Sequence, residues 1–359
     1  MRSDILLWSY LHILNRERFQ AIKDVYGSLE AAGRHIGEEL LIALGCRRET
    51  VVRALMRLEE FDEEQYGKKL DALGIEMIAF DDGRYPRQLA EIGDPPIFLS
   101  YKGNLSLLEQ PCIGIVGTRQ MSPYGRRVVG DFVPALVQAK MVTVSGLAQG
   151  IDSAVAEETM KAGGKTIAVF GHGLGSMYPR SNERLAEKIL SEGGLLLSEY
   201  PLDFQPEKFT FPARNRIIAG CTLGTLVCEA GKDSGAIITA ELALEYARDV
   251  FAVPGQIFDP NYEGCHTLIA KGQAKLVTNA QDILRDIGII APLPVSRVSY
   301  EPQSDEEKHL LDLLTTMPQK VDDLVERSGL PTSRISAALT IMELAGAVQN
   351  VGSGMWVRS

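Results

Sequence analysis

The chain has 359 residues and a formal net charge of −10, with 45% hydrophobic and 23% charged residues. This length suits two or three domains, and the composition supports packed cores and excludes wholesale disorder. The acidic balance argues against a protein that coats nucleic acid with its whole surface, so any polyanion site must be a local basic patch. No apolar run approaches the ~20 residues that span a bilayer, and the start of the chain is a poor secretion signal. We therefore expect a cytoplasmic protein that does not enter a membrane.

The five cysteines, at positions 46, 112, 221, 228 and 265, are scattered along the chain without a C-x-x-C pair. An odd number of dispersed cysteines indicates neither a disulfide framework nor a zinc site. The five histidines are also dispersed, without an H-E-x-x-H motif. We expect a protein of a reducing compartment with no metal and no cofactor.

Residues 1–73 are predicted to form a helical domain in which glycines separate short helices. The predicted helices cover residues 5–14, 18–25, 38–44 and 50–73. Compact modules of this kind hold DNA backbones in some proteins and serve as docking surfaces in others, and the sequence leaves both open. In residues 74–111, strands over 75–80 and 97–101 flank rigid proline turns, so this segment is read as a leading extension of the next domain.

From Cys112 onward, short strands alternate with helices. The predicted strands are 113–116, 142–145, 166–170, 195–198, 225–228, 250–253 and 275–277, and the predicted helices are 125–138, 153–161, 182–190, 235–248, 266–271 and 280–287. This alternation is typical of an α/β fold with a mostly parallel sheet covered on both faces. We predict a Rossmann-like domain over residues 74–290, with ligands bound beyond the carboxyl ends of its strands.

Glycine-containing turns follow four of these strands, at the edge where such a sheet binds ligands. The turns hold Gly117, Thr118 and Arg119; Ser145 and Gly146; Gly171; and Gly235, which opens a helix. Glycine lets a backbone approach a ligand closely, and helix N-termini present free N–H groups to anions. Four such turns, with an arginine in the first, predict a groove that binds phosphate groups.

The stretch from Lys208 to Glu229 provides the second half of the predicted site. Phe211-Pro212 reads as a turn that leads into Arg214-Asn215-Arg216 and then into an apolar run. Arginine is a planar, always-charged donor that suits phosphate, and phenylalanine offers a face on which a base stacks. The binding residues predicted from this stretch are Lys208, Phe211, Arg214, Asn215 and Arg216.

Several enzyme motifs are missing from the sequence. It contains no G-x-G-x-x-G fingerprint, no G-x-x-x-x-G-K-[ST] loop and no G-x-S-x-G elbow. His172 lies in a glycine loop, where it either touches a ligand or is a solvated loop residue. Asp152 and Glu199 lie near strand ends, without a recognisable acid–base partner. The sequence therefore predicts no catalytic residue and a protein that is not an enzyme.

Residues 291–303 contain proline and serine without periodicity, which predicts a linker. Helices over 305–314, 320–328 and 332–345 then precede a hairpin over 348–357, the pattern of a winged helix at 304–359. This domain carries eight acidic and five basic residues. Because a duplex reader normally has a basic face, we expect protein contact or an accessory role rather than major-groove reading.

Taken together, these residues resemble the DprA/Smf family of DNA-processing proteins over nearly the whole chain. The resemblance runs through Tyr85-Pro86, Asp94-Pro95-Pro96, residues 114–119, Ser122-x-Tyr124-Gly125, residues 145–152, Tyr178-Pro179-x-x-Asn182, Ser198-Glu199, residues 211–220, Glu229-Ala230, Ser234-Gly235 and residues 250–255. The first helices resemble the family's SAM-like module, and the acidic end resembles its winged helix.

The resemblance implies a non-enzymatic homodimer with a Rossmann-like core. Such a protein would bind incoming single-stranded DNA during natural transformation, protect it and help to load the RecA recombinase onto it. The implied DNA contacts are Arg119, Lys208 and Phe211, with Arg214 and Arg216 as additions from the same motif. Two positions depart from the family pattern, since Ala156 replaces a usual histidine and Gly175 a usual aspartate.

Two other functions compete with this one. Gly224-Thr225 followed by Glu229 is faintly similar to the nucleotide-hydrolysing lysine-decarboxylase-like family, although the Pro-Gly-Gly of its motif is missing here. The other alternative is a scaffold that binds proteins only.

Overall fold

The computed structural model describes residues 3–289, 300–315, 318–352 and 354–358. The chain divides into two compact units, residues 1–291 and 292–359. This division falls at the start of the predicted linker, most of which lies outside the described residues. In the part of the chain that the structure describes, no helix is long and apolar enough to cross a bilayer.

Six helices form the N-terminal module: α1 (Ser3–Leu11), α2 (Arg16–Tyr26), α3 (Leu29–Gly33), α4 (Glu38–Ala43), α5 (Arg48–Glu60) and α6 (Glu63–Leu73). The single helix predicted over 50–73 is wrong, because the chain breaks at Phe61 and Asp62 caps α6 by accepting from the Gln65 N–H at 2.9 Å. The core of this module continues onto Met77 of the first strand, Phe98 of the second and Leu202, which follows the sixth. The helices therefore pack on the sheet rather than standing apart from it.

A nine-stranded sheet forms the centre of the first unit. Its strands are β1 (Glu76–Ala79), β2 (Phe98–Gly103), β3 (Cys112–Gly117), β4 (Val142–Ser145), β5 (Thr166–Phe170), β6 (Leu195–Ser198), β7 (Gly224–Glu229), β8 (Asp249–Ala252) and β9 (Lys275–Leu276). The spatial order is β1-β2-β6-β5-β4-β3-β7-β8-β9. The pairs β1–β2 and β2–β6 are antiparallel, and the remaining pairs are parallel. The predicted mostly parallel α/β sheet is confirmed.

Helices cover both faces of this sheet. They are α7 (Arg87–Ala90), α8 (Pro123–Gln138), α9 (Ile151–Lys161), α10 (Glu183–Ser191), α11 (Thr210–Gly220), α12 (Gly235–Glu245), α13 (Glu263–Ala270) and α14 (Ala280–Asp286), with 3-10 turns at Leu105–Glu109, Arg180–Asn182 and Pro260–Tyr262. Side chains of β3 alternate between the two cores: Ile113 and Ile115 face α8 and α9, whereas Cys112 and Val116 face the other side.

The strand order reverses at β3. The connections after β3 run toward β4, β5 and β6, and the chain then returns to β7 on the other side of β3. A crevice opens where neighbouring parallel strands send their connections in opposite directions. The loops after β3 and β7 therefore border a ligand crevice, which is where the sequence places Gly117 and Gly231.

The second unit is a winged helix, as predicted. It contains α15 (Asp305–Leu313), β10 (Gln319–Lys320), α16 (Val321–Ser328), α17 (Thr332–Leu344), β11 (Val348–Gly352) and β12 (Met355–Arg358), with sheet order β10-β12-β11. On α17, Ile341 and Leu344 are exposed, and Arg334 pairs with Glu306 of α15.

Candidate nucleic-acid interface

A groove of about 920 Å³ lies at the carboxyl ends of β3 and β7. Of the residues predicted for the site, it is lined by Gly117, Thr118, Arg119, Lys208, Phe211, Arg214, Asn215 and Gly235. The loop after β3 and the start of α11, which are far apart in the sequence, thus share one cavity. Among the described residues, neither the Arg119 guanidinium nor the Lys208 ammonium forms an ion pair with a carboxylate. Both cations are exposed and available to a ligand.

Backbone hydrogen bonds fix the loop that carries Arg119. The Thr118 N–H donates to the Glu229 carbonyl at 2.7 Å, and the Ile151 N–H donates to the Thr118 carbonyl at 3.1 Å. The Gln120 N–H donates to the Thr118 hydroxyl at 3.1 Å. The loop is thereby held to β7 and to the start of α9, so it presents Arg119 with little reorganisation on binding.

Gly150 makes this arrangement possible. Its φ is +84°, and a Cβ at this position would lie 2.4 Å from the Thr118 carbonyl oxygen and 2.7 Å from the Arg119 backbone. A side chain would therefore push the Arg119 loop away from α9, in addition to straining the backbone.

The opposite wall of the groove is formed by helix α11. The sequence reading of Phe211-Pro212 as a turn is wrong, because both residues lie in the first helical turn of α11. Proline fits there, since the first turn of a helix has no intrahelical acceptor for its missing N–H. The helix was missed because its apolar run follows a basic segment without a capping signal, and Phe209 caps it without a side-chain hydrogen bond.

Phe211 forms the centre of an aromatic and cationic cluster. Its ring centroid lies 5.5 Å from the Arg119 guanidinium carbon and 5.7 Å from the ring of Tyr178. Gly171 allows this placement, because a Cβ there would lie 3.0 Å from the Thr210 carbonyl oxygen and 3.3 Å from the Phe211 ring. Gly171 therefore supports the site from behind the helix rather than lining the groove.

Arg214 lies at the floor of the groove and is 5% exposed. Its guanidinium donates to the carbonyl of Gly146 at 2.9 Å, to the carbonyl of Val169 and to the Asn215 side chain at 3.2 Å. Burial lowers the pKa of Arg214 to about 10, which leaves it charged at neutral pH. Gly146 is needed here for the arginine, because a Cβ at residue 146 would meet the guanidinium at 2.3 Å.

Asp152 provides the nearby negative charge. Its carboxylate accepts from the N–H groups of Gly146 at 3.0 Å and Ala148 at 3.3 Å. Burial raises the pKa of Asp152, and the charge of Arg214 opposes that rise. The turn after β4, which the sequence assigned to phosphate binding through Ser145 and Gly146, thus directs its N–H groups to an internal carboxylate. Ser145 is buried and does not line the groove.

Arg216 lies outside the groove. It forms an ion pair with Glu199 and approaches Asp94 at 3.5 Å, and its side chain is 14% exposed. Its position does not suit the DNA contact predicted from the sequence, since a guanidinium paired with two carboxylates has little attraction left for a phosphate. Asn215 lines the groove but is largely buried, and its amide donates to the Gly235 carbonyl at 3.1 Å.

His172 is 1% exposed, so its reading as a solvated loop residue is wrong. Its ring packs 5.1 Å from that of Phe170 and contacts the carbonyls of Gly173 and Tyr178 at 2.9 and 3.4 Å. Burial lowers the pKa of His172 below its ordinary value. The histidine thus supports the turn after β5 and does not line the groove.

The sequence reasoning missed three groove residues that bear on ligand binding. Tyr178 is 47% exposed beside Phe211, and Lys232 and Asp233 lie in the loop after β7. Lys232 and Asp233 could have been predicted, because their loop follows a parallel strand at the edge of the sheet where ligands were expected. Tyr178 comes eight residues after the end of β5, and nothing in the local sequence indicates that its ring lies beside Phe211.

Replacement of Gly150 by alanine should cost more than about 3 kcal/mol of unfolding free energy, because the strain of the positive φ adds to contact with backbone. Gly163→Ala is the matched control, since Gly163 also has a positive φ of +75° but nothing within 4 Å of its Cβ position. That control should cost about 1 kcal/mol. Equal losses of unfolding free energy in Gly150→Ala and Gly163→Ala, measured by denaturant unfolding, would show that the Arg119 loop moves aside at little cost.

Acidification should lower the free energy of unfolding through the buried His172. Below its unfolded pKa of about 6.5 the unfolded chain binds a proton that the folded chain disfavours, so stability falls as the pH drops from 7 to 5. A His172→Asn variant should lose less stability over that interval than the wild type, as followed by denaturant unfolding at each pH. The same pH slope for both proteins would contradict this assignment.

Comparison with known proteins identifies the family of the chain. The profile of the family described as DNA recombination-mediator protein A matches residues 76–288, and that of the DprA winged helix domain matches residues 294–354. DNA processing protein DprA of Streptococcus pneumoniae is 44% identical over 259 residues, covering 71% of this chain and 89% of that protein. Protein Smf of Escherichia coli is 38% identical over 285 residues, covering 77% of this chain and 76% of that protein.

Two solved structures are also similar. The X-ray structure of DprA from Streptococcus pneumoniae aligns with a TM-score of 0.69 and 39% identity, covering 80% of this chain and 98% of that one. DprA from Helicobacter pylori, whose structure concerns a single-stranded DNA binding mode, aligns with a TM-score of 0.54 and 29% identity, covering 59% and 95%. The fold, the winged helix and the matched profiles lead to one conclusion: this chain belongs to the DprA/Smf family of DNA-processing proteins.

Proposed function

We propose that this protein binds single-stranded DNA in the groove between the Arg119 loop and helix α11. It would protect incoming DNA during natural transformation and help to load the RecA recombinase onto it. The observation that carries the proposal is the convergence of Arg119, Lys208 and Phe211 on one cavity. The single-stranded DNA binding mode of the Helicobacter pylori relative supports it.

The chemistry of the groove suits a flexible single strand. Arg119 and Lys208 supply exposed positive charge, and Phe211 with Tyr178 offers aromatic faces beside it. Single-strand binding needs backbone cations and stacking faces, with little hydrogen-bond reading of sequence. The bases of a duplex are already stacked inside the helix, so they cannot use these rings without unstacking. We therefore expect a preference for single strands over duplexes.

The groove keeps its positive charge local. The cations on its surface and floor are Arg119, Lys208, Arg214 and Lys232, and the carboxylates are Asp152, Asp233 and Glu263. Asp152 is buried against the backbone, whereas Arg119, in the loop after β3, and Lys208, just before α11, are exposed. Phosphates should therefore bind at Arg119 and Lys208 and be repelled by Asp233 and Glu263.

The buried state of Glu229 disfavours the enzyme alternative. A nucleotide-hydrolysing site needs this carboxylate free for the substrate, but Glu229 is fully buried. Its oxygens accept from the N–H and the hydroxyl of Ser122, both at 3.1 Å, and burial raises its pKa. Gly125 packs directly against it. We infer a non-enzymatic protein, and release of free base from a nucleoside monophosphate by the purified protein would overturn that inference.

Assembly and location belong to the same proposal. We propose a cytoplasmic homodimer that acts together with RecA. The apolar residues Ile283 and Leu284 of α14 face the core, and its charged residues Asp282, Arg285 and Asp286 form ion pairs within this region. The neighbouring edge strand β9 leaves Leu276 45% exposed, and a second copy would cover it. Sedimentation of wild type and Leu276→Glu tests this contact, and an unchanged mass would exclude it.

Arg119→Ala should weaken binding of all oligonucleotide sequences alike and lower the slope of log affinity against log salt by about 0.7, because one phosphate contact is lost. Lys188→Ala, an exposed lysine of α10 outside the groove, is the control and should leave the slope unchanged. Fluorescence anisotropy with an unstructured pyrimidine oligomer and a duplex of equal length, at several salt concentrations, measures both. An unchanged slope for the Arg119 variant would remove this residue from the contact surface.

Phe211→Ala should cost about 1–3 kcal/mol of binding free energy through lost stacking, with little change in the salt slope. Phe209→Ala provides the matched control, because Phe209 is 63% exposed two residues earlier but does not line the groove. Similar losses in both variants would argue for general hydrophobic contact instead of a defined stacking site.

A further inference from the structure

The segment that presents Lys208 is held by the N-terminal helices. We define the β6–α11 loop as residues 199–209, between the end of β6 and the start of α11. Lys208 is its penultimate residue, and Phe211 follows in the first turn of α11. The position of this loop therefore sets one wall of the groove.

Tyr66 of helix α6 makes the most direct contact with this loop. Its hydroxyl accepts from the Leu202 N–H at 3.2 Å, across 136 residues of sequence. Tyr66 is 6% exposed and Leu202 is 2% exposed, and both belong to the core of the helical module. A buried N–H left without a partner is costly, so this bond specifies where the backbone of the loop runs.

Aromatic rings make a second connection. Tyr200 and Phe204 of the loop stack on one another with centroids 4.8 Å apart. The ring of His12, just after α1, lies 5.1 Å from Tyr200 and 5.7 Å from Phe204. Aromatic contacts of this geometry contribute beyond their buried area.

The turn after β5 fixes the other side of the loop. The Gly173 N–H donates to the Phe204 carbonyl and the Gly175 N–H to the Leu202 carbonyl, both at 2.9 Å. A Cβ at Gly175 would lie 2.7 Å from the Leu202 carbonyl oxygen, so this departure from the family's usual aspartate lets the loop lie close. The loop is thus clamped between the turn after β5 and the N-terminal helices.

The connection to the groove is short and rigid. The Thr210 hydroxyl donates to the Glu207 carbonyl at 2.8 Å, and the Thr210 N–H donates to the same carbonyl at 3.1 Å. These bonds close a tight turn around Lys208 immediately before α11. A shift of the clamped part of the loop will therefore move Lys208 relative to Arg119, which is fixed independently through Gly150 and β7.

We propose that the N-terminal helical module is a working part of the single-stranded DNA site, with Tyr66 as a positioning residue for its Lys208–Phe211 wall. This inference rests on the proposed function. It assigns the module a role in DNA affinity without direct contact with DNA, because Tyr66 does not line the groove.

The test is a double-mutant cycle measured as oligomer affinity. Tyr66→Phe removes only the hydroxyl and should weaken binding about two- to tenfold, the range expected for one lost hydrogen bond. The loss should largely disappear in a Lys208→Ala background and persist in an Arg119→Ala background, since coupling is confined to groups that act together. Tyr26→Phe makes the same chemical change in α2 of the same module and should leave affinity unchanged.

Three results would overturn the inference. They are wild-type affinity in Tyr66→Phe, equal losses in both backgrounds, or equal losses in the Tyr26→Phe control. Hydrogen exchange of peptides spanning residues 199–209 supplies a second readout, and Tyr66→Phe should accelerate exchange there more than elsewhere. If the wild-type chain binds no oligomer, the proposed function fails, and the exchange measurement still decides whether Tyr66 holds the loop.

Discussion

The structure of the site depends on one buried cation, Arg214. Its guanidinium bonds to the carbonyls of Gly146 and Val169, which belong to the ends of two different strands, and so it joins helix α11 to the edge of the sheet. A buried charge is tolerated only when its donors are satisfied, and this requirement restricts where the helix can lie. That position places Phe211 within reach of Arg119. The groove is therefore a consequence of how α11 is fixed.

The arginines of α11 have a structural role, whereas the exposed cations at the groove are available to a ligand. Arg214 and Arg216 both lie in α11, but each has internal partners: carbonyl oxygens for the first, carboxylates for the second. The exposed cations at the groove, Arg119, Lys208 and Lys232, are instead on the segments outside the helices. The protein as a whole is acidic, so these few charges act locally on a background that repels polyanions elsewhere. Such an arrangement favours a polyanionic ligand that binds only along the groove.

The strands and the glycine turns were largely predictable from the sequence, whereas α11 was not. Buried parallel strands are recognised as short apolar runs, and the turns after them are recognised by their glycines. Both patterns involve only neighbouring residues. Helix α11 has a basic start, a proline in its first turn and no capping side chain, so its sequence resembles a loop. In the same way Gly146 was recognised as a position of close approach, and the group that approaches it in the structure is the Arg214 guanidinium.

The sequence by itself determined the α/β class, the winged helix, the family and the residue types of the groove, because periodicity, glycine position and motif spacing are properties of neighbouring residues. Only the tertiary structure decided which cations remain free. Arg119, Arg214 and Arg216 are chemically identical, and the identity of their partners depends on carbonyls and carboxylates up to 122 positions away in the chain, such as Asp94 for Arg216. Those distances are set by packing, and no local pattern records them.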